Sequence, residues 1–324
     1  MLRVSVTGAS GFIGKHLISE LLILGYSIKI LSRQNHLYNT DNIEVVKGDL
    51  LHPSDALNYF VEDCDVLFHC AGEIRNIKLM NDLHVNGTKN LLNAIYNQNN
   101  YRSRKVHWVQ LSSVGVYGKP LLYPSQVRVI DENSQFNPFG EYEISKLSSD
   151  MLVVKAGESN YISYSIVRPS NVIGLDMRSV YFFQMIKAIQ LRYFFYIGKK
   201  GAVATYVQVN DVVEALVRCA TMPNAVNQVF NLSYDCTLES LVEAISMNLG
   251  VSPSKIRFSE KFIRLIVIFL SWFMSSPLTS SRIDSLVSRT RYPSDKIIKN
   301  LGFTFSKPIP NSIKEIVNKY LDKR

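Results

Sequence analysis

Two hydrophobic periods alternate along the first 110 residues of the chain. Short apolar runs with the character of buried strands are followed by stretches in which apolar residues recur every three to four positions. Strands that alternate with helices favour right-handed crossovers and a parallel sheet covered on both faces. The pattern predicts a doubly wound parallel α/β fold, with strands at residues 3–7, 27–31, 43–47, 66–70 and 106–111, and with helices ending near residue 24 and at residues 54–61 and 80–97.

Beyond about residue 170 the alternation becomes irregular. Short elements, several prolines and an aromatic-rich segment at residues 181–196 replace the regular pattern. This change predicts a smaller, mixed C-terminal lobe, formed mainly by residues 175–324. The sheet domain is expected to span residues 1–174, with later elements near 202–235 returning to it. A length of 324 residues fits one enlarged sheet domain with a second lobe.

Composition narrows the class of protein. Apolar residues make up 47 % of the chain and charged residues 19 %, which excludes intrinsic disorder. The four cysteines lack metal-binding spacing, so no metal site is expected. The chain begins without a signal-peptide pattern and has no run of roughly 20 apolar residues. A cytoplasmic protein is therefore expected.

The net charge of +9 lies entirely in the last quarter of the chain. Residues 251–324 hold 14 Lys and Arg against five Asp and Glu, whereas residues 1–250 hold 22 of each. Such asymmetry indicates an anionic ligand, a membrane or a nucleic acid. No nucleic-acid-binding motif accompanies the basic end, so a nucleic acid is not expected as a partner.

Residues 262–274 form the most apolar segment of this basic quarter. The segment is too short to span a membrane and carries Arg264. Because it has no clear polar face, it first predicts a buried helix or a subunit contact. A peripheral membrane anchor beside basic residues and a lid over a substrate are the alternatives.

Three glycines follow the first predicted strand directly and open a helix. Gly8, Gly11 and Gly14 allow a tight turn and a close approach of the backbone to a pyrophosphate, whose charge then lies at the helix N-terminus. This strand–turn–helix context predicts a dinucleotide site. Ser10, Phe12 and Ile13 belong to the same loop and are assigned to the cofactor site with the glycines.

A tyrosine and a lysine lie four residues apart in a later predicted helix. Tyr142 and Lys146 share one helix face. An unperturbed tyrosine has a pKa of about 10, and a neighbouring cation favours its phenolate. Ser113 follows the fifth strand, at the sheet edge where open α/β folds place their ligands. Tyr142 and Lys146 are therefore a candidate acid–base pair, although the same spacing also occurs on ordinary surface helices, and Ser113 is expected to lie at the same end of the sheet.

These motifs together resemble the extended branch of the short-chain dehydrogenase/reductase superfamily, the branch that modifies nucleotide sugars. The resemblance rests on Thr7 with the glycine triplet, on residues 112–118, on Tyr142 with Lys146 and on residues 168–174. It implies a Rossmann fold and a nicotinamide cofactor. It further implies that Ser113 holds the reacting sugar oxygen, that Tyr142 moves the proton and that Lys146 binds the nicotinamide ribose. The other cofactor contacts implied are Asp49, Leu50, Cys70, Ala71, Gly72, Arg168, Pro169 and Asn171.

The chain departs from the family pattern at several positions. His84 replaces an asparagine that helps to order the site, and it is expected to be buried and hydrogen-bonded rather than to relay protons. Val114 and Gly115 replace the Asp-Glu pair of the 4,6-dehydratases, and neither can titrate, which disfavours dehydratase activity. Residues 202–205 lack an arginine that many members carry there, so other residues must hold the substrate phosphates.

Arg33 decides the expected cofactor. An acidic residue at the end of the second strand would bind the ribose hydroxyl of NAD, whereas this chain has Ser32 and Arg33 there. A guanidinium suits a 2′-phosphate through a forked, charge-assisted contact. NADP(H) is therefore favoured over NAD(H).

The resemblance also implies the partners. The substrate would be a nucleotide-diphosphate sugar, bound by Glu73, Ser113 and Asn171 and by the basic residues Arg178, Arg282 and Arg291, since guanidinium forks match phosphates. Helices at residues 80–97 and 142–157 form a dimer contact in many relatives, so a homodimer is expected.

The leading hypothesis is hydride transfer at C4 of the sugar, by a 4-keto reductase or a 4-epimerase. A hydroxysteroid-type dehydrogenase of the same branch is a second enzyme hypothesis, which would explain the apolar segment at residues 262–274. A regulator that senses NADP(H) without turnover is the non-enzymatic alternative. The complete set of Ser113, Tyr142 and Lys146 argues against a regulator, because a sensor needs no tuned phenol.

Overall fold

The structure is a computed structural model that describes residues 2–34, 38, 40–99, 104–119, 126–177, 179–271 and 278–322. The strands are β1 Arg3–Thr7, β2 Ser27–Ser32, β3 Ile43–Lys47, β4 Val66–His69, β5 His107–Leu111, β6 Arg128–Val129, β7 Ser163–Pro169, β8 Asn171–Ile173, β9 Tyr196–Ile197, β10 Val203–Ala204, β11 Tyr206–Gln208, β12 Gln228–Leu232, β13 Cys236–Thr237, β14 Arg257–Phe258 and β15 Thr290–Arg291.

The α-helices are α1 Phe12–Ile23, α2 Asp55–Val61, α3 Ile77–Asn81, α4 Gly87–Asn99, α5 Glu141–Glu158, α6 Val180–Gln190, α7 Val209–Thr221, α8 Leu238–Asn248, α9 Glu260–Ser271, α10 Ser280–Val287, α11 Asp295–Leu301 and α12 Ile309–Asp322. A π-helical turn spans Asp82–Asn86, and short 3₁₀ turns span Val114–Tyr117 and Pro223–Ala225.

Seven parallel strands form the central sheet, in the order β12-β7-β5-β4-β1-β2-β3. Strand β1 lies between β2 and β4, so the chain winds outward from β1 in both directions. In such sheets ligands bind where the winding direction changes, beyond the carboxyl ends of the strands. The doubly wound fold class predicted from the hydrophobic periods is confirmed, and the place of a ligand site follows from it.

Helices cover both faces of the sheet, as alternating side chains along the strands require. One core joins the strands to α1, α7 and α11, through residues such as Leu17, Leu216 and Ile297. The opposite core joins them to α2, α4 and α5, and it encloses the fully buried Trp108. The catalytic candidates on α5 are thereby attached to a rigid layer rather than to a loop.

Residues beyond the sheet build a third core. Helices α6, α8 and α12 pack together there, through residues such as Ile186, Leu241 and Ile313. The chain nevertheless returns to the central sheet, because β12 pairs with β7 along five residues from Gln228 to Leu232. The C-terminal strand β15 also pairs with β6, beside the turn that follows β5.

The helix predicted at residues 80–97 is longer and is interrupted. It begins at Ile77, where the Asn76 side chain accepts a hydrogen bond from the Lys78 backbone N–H (3.2 Å), and it contains the π-helical turn Asp82–Asn86. A π turn inserts an extra residue into the helix, which hydrophobic spacing cannot reveal, and such turns are frequent at functional sites. Here the turn contains His84.

The burial predicted for residues 262–274 holds for only one side of α9. Ile263 and Val267 of α9 are buried, but Phe262 and Leu265 are 53 % and 68 % exposed. The helix is apolar on two sides and can bury only one of them against the lobe. Residues 272–274 of the segment lie outside the described residues. No helix in the described ranges is long and apolar enough to cross a bilayer.

Candidate active site

The glycine loop is built by contacts between backbones. Gly8 has φ +74°, and a Cβ there would lie 2.6 Å from the backbone nitrogen of Ala71. A Cβ on Gly14 would lie 2.0 Å from the Gly8 carbonyl oxygen. Helix α1 begins after Gly11 with no side-chain cap, so its first N–H groups remain available to an anion. The loop therefore fits the pyrophosphate of a dinucleotide.

Gly14→Ala is expected to weaken NADP(H) binding at least about tenfold, because the loop must open to relieve the overlap with Gly8. Titration calorimetry would measure the change. Gly25→Ala is the control: Gly25 follows the other end of α1 in open space, and its φ of +72° makes alanine cost stability there, but this variant should bind cofactor as the wild type does. Unchanged binding by Gly14→Ala would place the cofactor elsewhere.

A buried chain of polar side chains supports the floor beside this loop. The Thr7 hydroxyl accepts a hydrogen bond from the Ala71 N–H (3.2 Å) and is hydrogen-bonded to His69 Nδ1 (2.8 Å). His69 Nε2 continues to Thr88 on α4 (3.1 Å), which reaches Ser149 on α5 (2.8 Å). Because the chain links β1, β4, α4 and α5, it fixes Cys70, Ala71 and Gly72 relative to the helix that carries the catalytic candidates.

Ser113, Tyr142 and Lys146 come together at the carboxyl end of β5. Ser113 begins the 3₁₀ turn after β5, its hydroxyl accepts from the Gly115 N–H (3.1 Å), and it lies close enough to Tyr142 to lower the pKa of the phenol slightly. Lys146 is buried, and its ammonium donates to the Leu111 carbonyl oxygen (2.9 Å). A Cβ on Gly72 would lie 3.4 Å from Lys146 Nζ, so the cofactor floor faces this lysine.

The environment of Tyr142 differs from the expectation that Lys146 lowers the pKa of its phenol. Burial and the nearby Glu143 carboxylate raise the pKa of Tyr142 to about 12, against a smaller lowering by the neighbouring Ser113 side chain. Burial also lowers the pKa of Lys146, whose ammonium is directed to a carbonyl oxygen. In this state Tyr142 keeps its proton at neutral pH and is equipped to act as an acid.

His84 links the cofactor floor to the catalytic helix. Its Nε2 accepts from the Glu73 backbone N–H (2.9 Å), so Nδ1 carries the proton and donates to the Ser145 hydroxyl (2.8 Å). The Ser145 hydroxyl in turn donates to the Tyr142 carbonyl oxygen (3.1 Å). The expectation that His84 is buried and hydrogen-bonded is confirmed. The π turn supplies the geometry that places it there.

Acid is expected to destabilise the fold through two histidines. Burial and the charge of Lys146 lower the pKa of His84 and of His69 to about 3 each. The unfolded histidines have a pKa of about 6.5, so between these values the unfolded state binds more protons and stability falls with pH. From about pH 7 to about pH 5.5 the two groups should cost about 2 kcal/mol.

Urea unfolding at both pH values would measure this loss. His84→Asn should remove about half of the histidine-linked loss, whereas the exposed His52→Gln should leave it unchanged. An equal pH dependence in wild type and His84→Asn would contradict the assignment of a neutral, buried His84.

The family of the chain follows from a comparison with known proteins. The model of the NAD dependent epimerase/dehydratase family matches residues 4–233. The chain belongs to this family. The resemblance to extended short-chain dehydrogenases/reductases is thereby confirmed, and the family is one of NAD(P)-binding enzymes.

Relatives and solved structures agree with the family match. A UDP-glucose 4-epimerase of Mycolicibacterium smegmatis is 28 % identical over 250 residues, which cover 71 % of this chain and 77 % of that protein. A UDP-glucuronic acid 4-epimerase from Bacillus cereus, solved in complex with NAD, has a TM-score of 0.74 at 17 % identity, over 99 % of both chains. RMD from Pseudomonas aeruginosa, solved with NADPH, has a TM-score of 0.69 at 21 % identity, over 100 % of both chains.

A buried ion pair joins the helix of the candidate catalytic residues to β7. Arg168 on β7 donates through Nε and Nη2 to Asp150 Oδ2 (3.1 Å each), and Ser112 donates to the same oxygen (2.8 Å). Arg168 also donates to the Tyr117 hydroxyl (2.9 Å). The family motif implied that Arg168 contacts the cofactor. In the structure, its guanidinium instead binds other side chains of the protein. Sequence reasoning missed Asp150, although it follows Lys146 by one helical turn.

The other cofactor candidates lie at the carboxyl ends of strands of the same sheet. Arg33 is exposed at the end of β2, and Asp49 and Leu50 follow β3, where the Asp49 carboxylate accepts from the Leu51 N–H (3.0 Å). Pro169 ends β7. Sequence reasoning missed Tyr38, whose hydroxyl donates to the Ala9 carbonyl oxygen (3.0 Å) and so covers the loop. No spacing pattern connects Tyr38 to the glycines.

Two further substrate candidates are already hydrogen-bonded locally. Glu73 Oε1 accepts from the N–H groups of Ile74, Arg75 and Asn76, which lowers the pKa of its carboxyl. The Asn171 amide, at the start of β8, donates to the Thr205 carbonyl oxygen (3.0 Å). Glu73 therefore shapes the loop after β4, and Asn171 ties β8 to the residue before β11.

The basic candidates are dispersed. Arg178 lies outside the described residues. The Arg282 guanidinium on α10 lies over the Tyr181 ring, 4.4 Å from its centroid. Arg291 is exposed on β15, and the next residue, Tyr292, packs against Val114, Val116 and Tyr117 of the catalytic turn. Of the two described arginines, Arg291 is thus connected to the active site by packing.

Proposed function

We propose that this protein is an NAD(P)-dependent enzyme that acts at C4 of a nucleotide-activated sugar, as a 4-keto reductase or a 4-epimerase, in the supply of polysaccharide precursors. The observation that carries the proposal is the convergence of Ser113, Tyr142 and Lys146 with the glycine loop at one sheet edge. The kinship with UDP-sugar 4-epimerases supports the substrate class.

Each catalytic residue has a distinct task in this proposal. Ser113 would donate a hydrogen bond to the C4 oxygen of the sugar, and Tyr142 would give its phenolic proton to that oxygen or take it back. Lys146 would bind the nicotinamide ribose and place a positive charge beside the phenol during turnover. A nicotinamide held by the glycine loop and Gly72 supplies the hydride chemistry at the sugar carbon.

Reduction of a keto sugar is supported by Arg33, whose guanidinium suits the 2′-phosphate of NADPH. The name of the Mycolicibacterium relative supports the epimerase instead. Neither reaction needs acid–base residues at Val114 and Gly115, where a dehydratase would require them.

A panel of UDP-linked sugars and 4-keto sugars, incubated with NADPH or NAD, tests the activity. The reductase predicts oxidation of NADPH by a 4-keto sugar; the epimerase predicts C4 inversion without net cofactor consumption. Thermal shifts with UDP-sugars and with steroids, measured beside the panel, distinguish the nucleotide-sugar class from the hydroxysteroid class. Stabilisation by steroids alone, with no turnover of any sugar, would reject the proposal.

Arg33→Asp is expected to reverse the cofactor preference. Removal of the guanidinium takes away the charge partner of the 2′-phosphate, and the new carboxylate can accept from the ribose hydroxyls. The ratio of kcat/KM for NADPH to that for NADH should fall at least about tenfold. Arg104→Asp is the charge-matched control, because Arg104 precedes β5 and so lies near the amino-terminal ends of the strands, away from the cofactor loop. A constant ratio would remove Arg33 from the cofactor site.

We propose that the substrate lies between the two parts of the chain. The division assigns residues 1–174, with elements near 202–235, to the cofactor and residues 175–324 mainly to the sugar nucleotide. Arg291 is the favoured diphosphate contact because β15 joins the catalytic turn. Arg282, Arg178, Asn171 and Glu73 remain proposed substrate contacts.

A homodimer through α4 and α5 is proposed for the assembly. Three exposed apolar side chains, Tyr96, Ile144 and Met151, lie on these two helices. They would be covered if the helix pairs of two copies packed together. The proposed location is the cytoplasm, with a peripheral membrane contact through a different surface.

A further inference from the structure

Helix α9 has apolar residues on two opposite sides. Ile263 and Val267 face the lobe and pack with Ile197, Ile283 and Val287. The outward side has a second apolar row, at positions i, i+3, i+4 and i+7 of the helix, which share one face. Its members and their exposed fractions are Phe262 53 %, Leu265 68 %, Ile266 37 % and Phe269 62 %. A helix that only covers the lobe would have polar residues on this side.

Three exposed lysines lie near the N-terminal end of α9. Strands β9 and β14 pair in parallel with Ile197 opposite Phe258, so Lys199 and Lys200 lie beside the start of α9, where Lys261 is exposed. None of the three ammonium groups lies within ion-pair distance of a carboxylate in the described ranges.

The neighbouring acidic groups are partly offset by an arginine. Arg264 binds both Glu260 (2.8 Å) and Asp284 (2.6 Å), which leaves one negative charge in this cluster. The three lysines exceed that charge, so the surroundings of the start of α9 are positive. The whole last quarter of the chain has the same sign, with 14 basic against five acidic residues.

The positive charge near α9 indicates which kind of partner binds its outward apolar row. If a second molecule docked on this face by a twofold axis, the lysines of one molecule would lie near the same lysines of the other. The repulsion between these like charges would oppose the contact. A surface that is both apolar and negatively charged complements the apolar row and the lysines near it. The boundary between headgroups and acyl chains of an anionic bilayer is such a surface.

We propose that α9 docks this protein on anionic lipid membranes. Phe262 and Leu265 enter the boundary between headgroups and acyl chains, and Lys199, Lys200 and Lys261 face the lipid phosphates. The contact is peripheral, since the described helices are too short or too polar to span a bilayer. It is independent of the proposed C4 chemistry, because α9 contributes no catalytic candidate.

Flotation of the full-length protein with vesicles tests the proposal. The wild type should float with vesicles of phosphatidylcholine and phosphatidylglycerol, and less with phosphatidylcholine alone. Phe262→Ser combined with Leu265→Ser should lower the partition coefficient at least about tenfold. Ile23→Ser combined with Met247→Ser removes two apolar side chains that are 79 % and 78 % exposed elsewhere, and should float as the wild type does.

Charge and self-association are tested separately. Lys199→Gln, Lys200→Gln and Lys261→Gln together should remove the preference for phosphatidylglycerol, while light scattering should show the same oligomeric state in all variants. A wild type that stays out of anionic vesicles would overturn the proposal. Equal flotation of the α9 variant and the wild type, or a change of oligomeric state in the α9 variant, would overturn it as well.

Discussion

Tyr142→Phe is expected to lower turnover by a factor between about one hundred and ten thousand, the usual range for loss of a positioned acid or base. The ring remains to fill its place beside His84, at a centroid distance of 5.6 Å, so the fold and the cofactor site should be unchanged. Cofactor affinity should stay within about twofold of the wild type.

Steady-state kinetics and a cofactor titration on the same preparation measure both quantities. Tyr96→Phe, at an exposed position on α4, removes a hydroxyl away from the site and should not alter turnover. Turnover like that of the wild type in Tyr142→Phe would remove the phenol from the mechanism. Loss of cofactor binding in this variant would show a structural role instead.

Asp150→Asn is expected to destabilise the fold by about 3–5 kcal/mol, because it leaves the Arg168 charge buried without its partner. Both side chains are almost completely inaccessible to solvent. The pair joins α5 to β7 directly behind Lys146, so loss of the pair should also lower kcat through displacement of the catalytic helix.

Urea unfolding compares this variant with two others. Asp176→Asn breaks the surface pair with Lys319 (2.6 Å) and should change stability by less than about 1 kcal/mol. Asp150→Leu combined with Arg168→Met removes both charges and should be less destabilised than Asp150→Asn. A loss below about 1 kcal/mol for Asp150→Asn would contradict the account of this pair.

The hydrophobic periods of the first 110 residues were sufficient to predict five of the seven strands of the sheet, because each strand and each helix buries a face with its own spacing. They could not predict the π turn around His84, since one inserted residue leaves the helical pattern nearly unchanged. They also failed for α9, because composition shows that a side chain is apolar but not which surface covers it.

The site shows the same division between local and tertiary features. Gly8, Gly14, Tyr142 and Lys146 are recognisable because their chemistry depends on spacing within one turn or helix. The Asp150–Arg168 pair and the chain from Thr7 to Ser149 join elements distant in sequence, so only the packed sheet reveals them. The raised pKa of Tyr142 is likewise a result of burial, which motif spacing does not contain.

Transfer of deuterium from cofactor to sugar tests the central claim most directly. The enzyme would be incubated with reduced cofactor deuterated at nicotinamide C4 and a UDP-linked 4-keto sugar, and the product analysed by NMR and mass spectrometry. Both the reductase and the epimerase predict one deuterium at C4 of the sugar in the wild type and almost none in Tyr142→Phe. Deuterium that remains on the cofactor, or that enters the sugar at another carbon, would contradict action at C4.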